Sequence, residues 1–324
     1  MRSSGRFIAT LASCGAIAVG LAACGSDDES ADTSSTGGGS AAQLSGTIKI
    51  DGSSTVAPLS EAAAEMFQGT QKEVRVTVGT SGTGGGFEKF CNGETDISDA
   101  SRQIEADEKK ACTAKGIGYE EIQVANDGLA LVVNPQNDWA TCLTVAQLKK
   151  IWDKGSKVDN WKQVDPKFPD EKLSLAGAGT DSGTFDYFTG AINGEEGRSR
   201  SDYAASEDDN VTVQTVSGAK GGLGYFGLSY AQQNSDKVKV LEVDGGDGCV
   251  APSKETVQDA SYKPLSRPLF IYPSDKAIAR PEVDAFIKYY LDNEQKIAEA
   301  ALFVDLTDEQ LAESQKKADA LGSS

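Results

Sequence analysis

Apolar and polar positions follow two different periods along the chain. Residues 74–78 alternate apolar with polar side chains, which predicts a half-buried strand, whereas residues 144–152 show helical spacing behind a Thr cap. The predicted strands are residues 46–51, 74–78, 122–134, 173–176, 238–243 and 267–272, with a further strand near residues 224–227. The predicted helices are residues 57–67, a helix beginning at 87–91, residues 144–152, a helix from 185 onward and residues 282–293. This alternation predicts an α/β fold with helices on both faces of mostly parallel sheets.

The first residues have the pattern of an export signal. Arg2 and Arg6 precede a short apolar stretch, and Leu21-Ala22-Ala23-Cys24 resembles a bacterial lipobox. We therefore expect residues 1–23 to be a signal peptide and Cys24 to be lipidated, which places the protein outside the cytoplasm and anchors it to the cell membrane only through that lipid. An ordinary secretory peptide or a weak membrane helix is the alternative, but the stretch is short for a span of about 20 residues.

The segment after the lipobox has the composition of a flexible linker. Residues 25–42 are dominated by Gly, Ser, Thr and Asp and hold almost no large apolar side chain. Such a segment buries too little apolar surface to fold. Residues 24–44 are therefore predicted to be the lipid anchor and tether.

Composition excludes several classes of function. Of the 324 residues, 31 are basic and 49 acidic, which gives a formal charge of −18 and disfavours nucleic acid as a partner. There is no histidine, so the chain cannot form a His-based zinc site or a Ser-His-Asp or Cys-His nucleophile. We expect no metal, no cofactor and no enzymatic activity. A secreted phosphohydrolase is a weaker alternative for the same reason.

Four cysteines remain after the signal and the anchor, an even number that fits disulfides in an oxidising compartment. They are Cys91, Cys112, Cys142 and Cys249. Three pairings are open, of which Cys91–Cys112 with Cys142–Cys249 is favoured by proximity in sequence. A metal site is the competing interpretation, but no two of these cysteines have CxxC spacing.

Three turns rich in Gly, Ser and Thr concentrate the candidate chemistry. They are residues 51–58 (DGSSTVAP), 79–87 (GTSGTGGGF) and 179–185 (GTDSGTF), each predicted between a strand and a helix. Helix N-termini offer unpaired N–H groups and the positive end of the helix dipole, so anions bind there. Each turn alone is consistent with a plain helix cap. Together they predict several helix N-termini converging on one small tetrahedral anion.

At these positions the chain resembles the phosphate-binding lipoproteins of the bacterial phosphate ABC transporter, the PstS family. Residues 50–58, 78–87, 179–188 and 218–227 carry the resemblance, which runs from about residue 46 to the final helices. It implies a type II periplasmic-binding-protein fold, in which two α/β lobes are joined by two crossover hinge strands. The first lobe is expected to comprise residues 45–125 and 265–324, and the second residues 126–264.

The resemblance also implies the residues that bind phosphate. Donors are expected from each turn in order, namely Ser54, Thr55 and the Val56 amide, then Ser81, Gly82 and Thr83, and finally Ser182, Gly183 and Thr184. The chain departs from the family where an aspartate usually follows Ala-Ser and an arginine precedes Ser-Gly-Thr. Arg102 occupies the first of these places, so we expect it to supply the cation and Asp181 or Asp99 the acid. A solvated surface role for Arg102 is the alternative.

The predicted function is that of a monomeric, high-affinity receptor that delivers inorganic phosphate to an ABC-type permease. A carboxylate in the site can accept the proton that phosphate keeps at neutral pH, whereas sulfate has none and would leave that group unpaired. The alternatives are a receptor for another oxyanion, such as sulfate or molybdate, and a surface adhesin that reuses the fold.

Overall fold

The computed structural model describes residues 43–322. The predicted signal peptide, Cys24 and residues 24–42 of the tether lie outside the described residues. Within residues 43–322, no helix is both long and apolar enough to cross a membrane.

The described residues form twelve strands and thirteen helices. The strands are β1 (Ser45–Gly52), β2 (Glu73–Gly79), β3 (Ile97–Ala100), β4 (Ile122–Val133), β5 (Cys142–Thr144), β6 (Ser174–Ala178), β7 (Ala204–Ser206), β8 (Gly222–Gly227), β9 (Lys239–Val240), β10 (Glu242–Asp244), β11 (Cys249–Val250) and β12 (Ser266–Pro273). The helices are α1 (Ala57–Thr70), α2 (Gly82–Cys91), α3 (Ala106–Ala114), α4 (Val145–Trp152), α5 (Trp161–Val164), α6 (Gly183–Asn193), α7 (Asp209–Gly218), α8 (Leu228–Gln233), α9 (Lys254–Gln258), α10 (Asp275–Ile278), α11 (Pro281–Asp292), α12 (Glu294–Ala300) and α13 (Asp308–Gly322).

Most strands belong to one long mixed sheet, in the order β2-β1-β3-β12-β4-β8-β6-β7, with β9 paired to β4. The two ends of this sheet are parallel, as βαβ connections require. Its centre is antiparallel, because β12 runs against both β3 and β4, and β4 runs against β8. The prediction of an α/β fold is confirmed, but the prediction of mostly parallel sheets is wrong at this centre, where two long strands connect the halves.

The core is divided where those two strands cross the molecule. In β4, Ala125 packs into a core with α1 and α11, whereas Leu129 packs into a second core around α4 and α6. Residues 126–128 between them are Asn, Asp and Gly. The same change occurs at β12, because Leu265, just before the strand, lies in the second core and Leu269, within it, lies in the first. Each half of the molecule therefore has its own apolar interior.

The boundary expected at 125/126 falls at this change of core, whereas the one expected at 264/265 lies just before it, because Leu265 is still in the second core. Val304 is a further exception, since it belongs to the C-terminal part of the first lobe but packs into the second core. The division into two lobes that move about the crossing strands stays a prediction.

Most predicted elements are confirmed, and two need correction. The helix expected to begin at residues 87–91 begins at Gly82 and ends at Cys91, because its first turn is built from the glycines of the second Gly-rich turn. Residues 238–243 were expected to form one strand but form two. The break is at Leu241, whose N–H bonds the carbonyl of Leu131, and it sends β9 to the main sheet and β10 to a small sheet with β5 and β11.

Both expected disulfides are present. Cys91 bonds Cys112 and thereby joins α2 to α3, and Cys142 bonds Cys249 and joins β5 to β11. Since all four sulfurs are bonded in pairs, they are not available as thiolate ligands for a metal.

Candidate functional site

The first Gly/Ser/Thr turn joins β1 to α1 and is held by its own hydrogen bonds. The Ser53 N–H donates to the Asp99 carbonyl at 2.9 Å, and the Thr55 N–H donates to the Ser53 hydroxyl at 3.2 Å. Pro58 lies in the first turn of α1, where its missing N–H costs nothing. These bonds leave the side chains of Ser54 and Thr55 facing the space between the two halves of the molecule.

The second turn joins β2 to α2 and packs directly against the first. A Cβ at Gly86 would lie 2.5 Å from the Gly52 Cα, so only glycine lets α2 approach β1 this closely. The Thr83 hydroxyl lies 3.0 Å from that of Ser101 and accepts the Ser101 N–H at 3.2 Å. Two helix N-termini and several hydroxyls are thereby brought to one edge of the sheet.

The third turn joins β6 to α6 and comes from the second core. Ser182 is the N-cap of α6, and its hydroxyl accepts the Thr184 N–H at 3.2 Å. Gly183 lies against the first turn, since a Cβ there would be 2.3 Å from the Thr55 Oγ1 and 2.9 Å from the Thr55 nitrogen. The two halves of the molecule therefore touch at this glycine.

Arg267 of β12 enters the same space from the crossing strands. Its Nε donates to Asp127 Oδ2 at 3.1 Å, its Nη2 donates to Thr55 Oγ1 at 3.0 Å, and its guanidinium lies 3.7 Å from the Tyr187 ring centroid. The side chains of Arg267 and Asp127 are 14% and 5% exposed. Burial raises the pKa of Asp127, and the charge of Arg267 opposes that shift.

A cavity of about 350 Å³ lies where these parts meet. It is lined by Ser53, Ser54, Thr55, Gly82, Thr83, Gly84, Ser101, Arg102, Gly183, Asp186, Glu196 and Arg267. The lining combines hydroxyls, the beginnings of α2 and α6 and two guanidinium groups. Such a set of donors suits a small anion with several oxygens.

Arg102 reaches the cavity but is tied to a neighbouring acid. Its Nη1 and Nη2 each donate to one carboxylate oxygen of Glu108 at 2.8 Å, and its guanidinium lies 5.8 Å from the Phe87 ring centroid. The side chain is 37% exposed. The prediction that Arg102 supplies the cation is therefore compatible with its position, although Glu108 competes for its donors.

Two acids, Asp186 and Glu196, line the cavity, and neither is an acid expected from the sequence. Asp186 follows Gly183 by three residues in the first turn of α6, and burial together with the charge of Glu196 raises the pKa of Asp186. Asp99 is fully buried in β3, where it accepts the Ser60 hydroxyl at 2.9 Å. Burial raises its pKa to about 8. Asp181 is exposed, and its N–H bonds Glu207.

Of the donors expected from the sequence, the structure places Ser54, Thr55, Gly82, Thr83 and Gly183 at the cavity, together with Arg102. Val56, Ser81, Ser182 and Thr184 do not line it. The Val56 N–H bonds the Ser53 carbonyl, and the Ser81 hydroxyl bonds Asp51. Ser182 and Thr184 are joined by the helix cap. For all of the expected site residues, including Asp181, contact with an anion stays a prediction.

The sequence reasoning missed Arg267, Asp186 and Glu196. Arg267 belongs to no Gly-rich turn and is 212 positions away from Thr55, so no local motif marks it. One signal was available in β4, where Asp127 is the one charged residue of the strand. A charged residue in a buried strand requires a partner, and here that partner is Arg267.

The chain matches the model of the PBP superfamily domain over residues 34–294. It is 48% identical to Protein SphX of Synechococcus elongatus over 262 residues, which cover 80% of this chain and 77% of that protein. It is 43% identical to the phosphate-binding protein PstS of Staphylococcus saprophyticus over 289 residues, which cover 87% of this chain and 88% of that protein.

Solved structures show the same fold. A possible phosphate-binding protein from Planctomyces limnophilus superposes with a TM-score of 0.81 at 47% identity, covering 86% of this chain and 99% of that one. A protein from Clostridium perfringens, assigned provisionally as the substrate-binding protein of a phosphate ABC transporter and solved with bound phosphate, gives a TM-score of 0.57 at 27% identity. The match covers 81% of this chain and all of the other.

Proposed function

Since the chain belongs to the PstS family of phosphate-binding proteins, we propose that it is a receptor that binds inorganic phosphate and delivers it to an ABC-type permease. The observation that carries this proposal is the cavity between the two cores, which is lined by hydroxyls, helix beginnings and two guanidinium groups. We propose that the chain binds its ligand without changing it chemically and works as a monomer.

The polar lining supports an oxyanion rather than an apolar solute. Ser54, Thr55 and Thr83 offer hydroxyl donors, and the beginnings of α2 and α6 add the positive ends of two helix dipoles. These groups act at contact distance, whereas charges farther than about 8 Å away are screened in physiological salt. A chain of formal charge −18 can therefore still bind an anion.

The acids of the cavity support selectivity for phosphate over sulfate. Asp186 and Glu196 line it, and an ionised carboxylate there repels an anion that carries no proton. Phosphate at neutral pH carries a proton that such a group can accept. Asp186 thus joins Asp99 and Asp181 as a candidate for this role, and it is the one of the three that lines the cavity.

The delivery step is supported by the relatives. The Clostridium perfringens neighbour is assigned provisionally to a phosphate ABC transporter, and the Staphylococcus relative is a phosphate-binding protein.

We propose that this chain works outside the cytoplasmic membrane and is held there by a lipid on Cys24. Two disulfides fit that compartment. A Cys24→Ser variant should lose the lipid and leave the membrane fraction, as fractionation and mass spectrometry of the N-terminal peptide would show.

Calorimetric titration tests the binding step. The secreted Cys24→Ser chain, freed of bound anion by partial unfolding and refolding, would be titrated with phosphate and with sulfate at pH 7 and pH 5. We expect one-to-one phosphate binding and no heat from sulfate. Equal sulfate binding would favour a general oxyanion receptor, and binding of neither anion would overturn the proposal and favour the adhesin alternative.

A further inference from the structure

Arg267 lies at the junction of four parts of the molecule. It is on β12, its ion-pair partner Asp127 is opposite to it in register on β4, and these are the strands that cross between the two cores. Its Nη2 bonds Thr55 in the first turn, and its guanidinium stacks on Tyr187 of α6. One side chain therefore contacts both crossing strands, both halves of the molecule and the cavity.

The donors of Arg267 are divided between holding and binding. Asp127 accepts the hydrogen bond of Nε, and the Tyr187 ring covers one face of the guanidinium. These two contacts fix the plane and the direction of the group. Within residues 43–322, Nη1 donates to no acceptor, and Nη2 donates to the Thr55 hydroxyl at the cavity. Because a hydroxyl that accepts one hydrogen bond can still donate its own proton, the Thr55 hydroxyl can accept from Arg267 and donate a hydrogen bond to a ligand.

Arg102 differs in each of these respects. Both of its terminal nitrogens are bound to Glu108, at 2.8 Å each, and its side chain is more than twice as exposed as that of Arg267. A ligand would have to displace Glu108 before it could be bound by the whole guanidinium. A charge that is already paired and solvated contributes less to binding than a buried one with donors to spare.

We propose that Arg267 is the principal cation of the anion site, with Asp127 as the positioning residue that directs its terminal nitrogens into the cavity. This inference rests on the proposed function, since it names the residue through which that site binds phosphate. Because Arg267 is carried by a crossing strand and touches both halves, an anion bound to it is also bound where the two halves meet.

Single substitutions at three arginines test the inference by calorimetric titration with inorganic phosphate. We expect Arg267→Gln to raise the Kd for phosphate at least about 50-fold, since charge-assisted hydrogen bonds from a buried group are lost. Arg102→Gln should also raise the Kd for phosphate, but by a factor at least ten times smaller than Arg267→Gln does. Arg198→Gln is the matched control, because it breaks an arginine–aspartate pair, with Asp153, outside the cavity.

A double-mutant cycle separates the positioning role of Asp127 from a merely structural one. Asp127→Asn should weaken phosphate binding in the unmodified background and have no further effect when Arg267 is already Gln. The double variant also replaces a buried ion pair by two neutral amides, so it keeps the test valid if Arg267→Gln alone leaves Asp127 unpaired and fails to fold. Thermal unfolding of every variant reports whether it is folded.

The outcomes distinguish the inference from the function it rests on. If the unmodified chain binds no phosphate, both are overturned. If it binds phosphate but Arg267→Gln, or the double variant, binds within threefold of it, the inference alone is overturned. It is also overturned if Arg102→Gln loses more affinity than Arg267→Gln, and Arg102 is then the principal cation.

Discussion

Thr55 is the residue at which the candidate site is assembled. Its hydroxyl accepts a hydrogen bond from Arg267, and its backbone lies against Gly183 from the other half of the molecule. A side chain at position 183 would occupy the same space as Thr55. The absence of a Cβ there lets the turn of α6 approach the turn of α1.

Gly183→Ala should therefore weaken phosphate binding without unfolding the protein. Overpacking of this kind costs about 1–3 kcal/mol, which corresponds to a Kd roughly 5- to 150-fold higher. The control is Gly218→Ala at the end of α7, where no atom lies within 4 Å of the added Cβ. Titration of both variants checks this, and equal affinities would show that the two halves need not touch at Gly183 to bind the anion.

Asp99 is a buried acid that lies away from the cavity. Burial, and then the charges of Asp51 and Glu61, raise its pKa from 3.8 to about 8, although a hydrogen bond from Ser60 opposes the shift. Between pH 5 and pH 7 the folded chain thus holds a proton that the unfolded chain has released. The free energy of unfolding therefore falls as the pH rises, through this group by up to about 1.4 kcal/mol per pH unit.

Asp99→Asn should remove this dependence. The stability of the variant relative to the unmodified chain should increase from pH 5 to pH 7, as measured by urea unfolding at each pH. Asp107→Asn, at a side chain that is 92% exposed, is the control and should follow the unmodified chain. A difference between Asp99→Asn and the unmodified chain that is constant with pH would mean that Asp99 is ionised in the folded protein.

At the scale of elements, β4 and β12 decide how the molecule is divided. β4 is apolar on both sides of a polar middle, and β12 has its polar residues at its start, where Arg267 faces Asp127. The polar pair ends one core and begins the next. It also brings a charge to the cavity that no helix beginning could supply.

The two disulfides join elements at very different separations along the chain. Cys91 and Cys112 are 21 positions apart, whereas Cys142 and Cys249 are 107 positions apart. A longer closed loop loses more entropy when it is cross-linked in the unfolded chain. The β5–β11 bond should therefore stabilise the fold more than the α2–α3 bond.

Paired Cys→Ala variants test this. In the chain-entropy model, replacing Cys142 and Cys249 costs about 5 kcal/mol, and replacing Cys91 and Cys112 about 3 kcal/mol. Urea unfolding without reductant would give both values. The reverse order would show that packing around the bonds, rather than loop length, controls the effect.

At the scale of the whole molecule, the negative net charge of the protein repels the phosphate anion. A formal charge of −18 repels an anion over the Debye length, which is about 30 Å at 0.01 M salt and about 8 Å at 0.15 M. The contacts in the cavity are shorter than either length. Salt should thus affect the approach of phosphate more than its retention.

The association rate constant for phosphate should accordingly rise roughly two- to tenfold between these salt concentrations, with a nearly constant dissociation rate. Stopped-flow tryptophan fluorescence in two salts with different anions would measure both rates and separate screening from competition. An association rate that falls with salt would mean that the positive groups at the cavity dominate the field that phosphate meets.

Features that depend on neighbours along the chain could be predicted from the amino-acid order. Strand and helix periods, the Thr144 cap and the three Gly-rich turns are local patterns, and so the α/β class and five residues that line the cavity could be predicted from them. The resemblance to one family followed from the same turns. Even the disulfide pairing agreed with proximity in sequence.

Which charges meet in the cavity depends instead on how distant segments pack. Arg267 and Thr55 are 212 positions apart, and a sheet in which β12 lies between β3 and β4 brings them within 3.0 Å. The same packing buries Asp99 and brings Asp186 to the cavity. Residue type shows that a side chain can carry charge. Burial and partners, which come from distant segments, fix what that charge can bind.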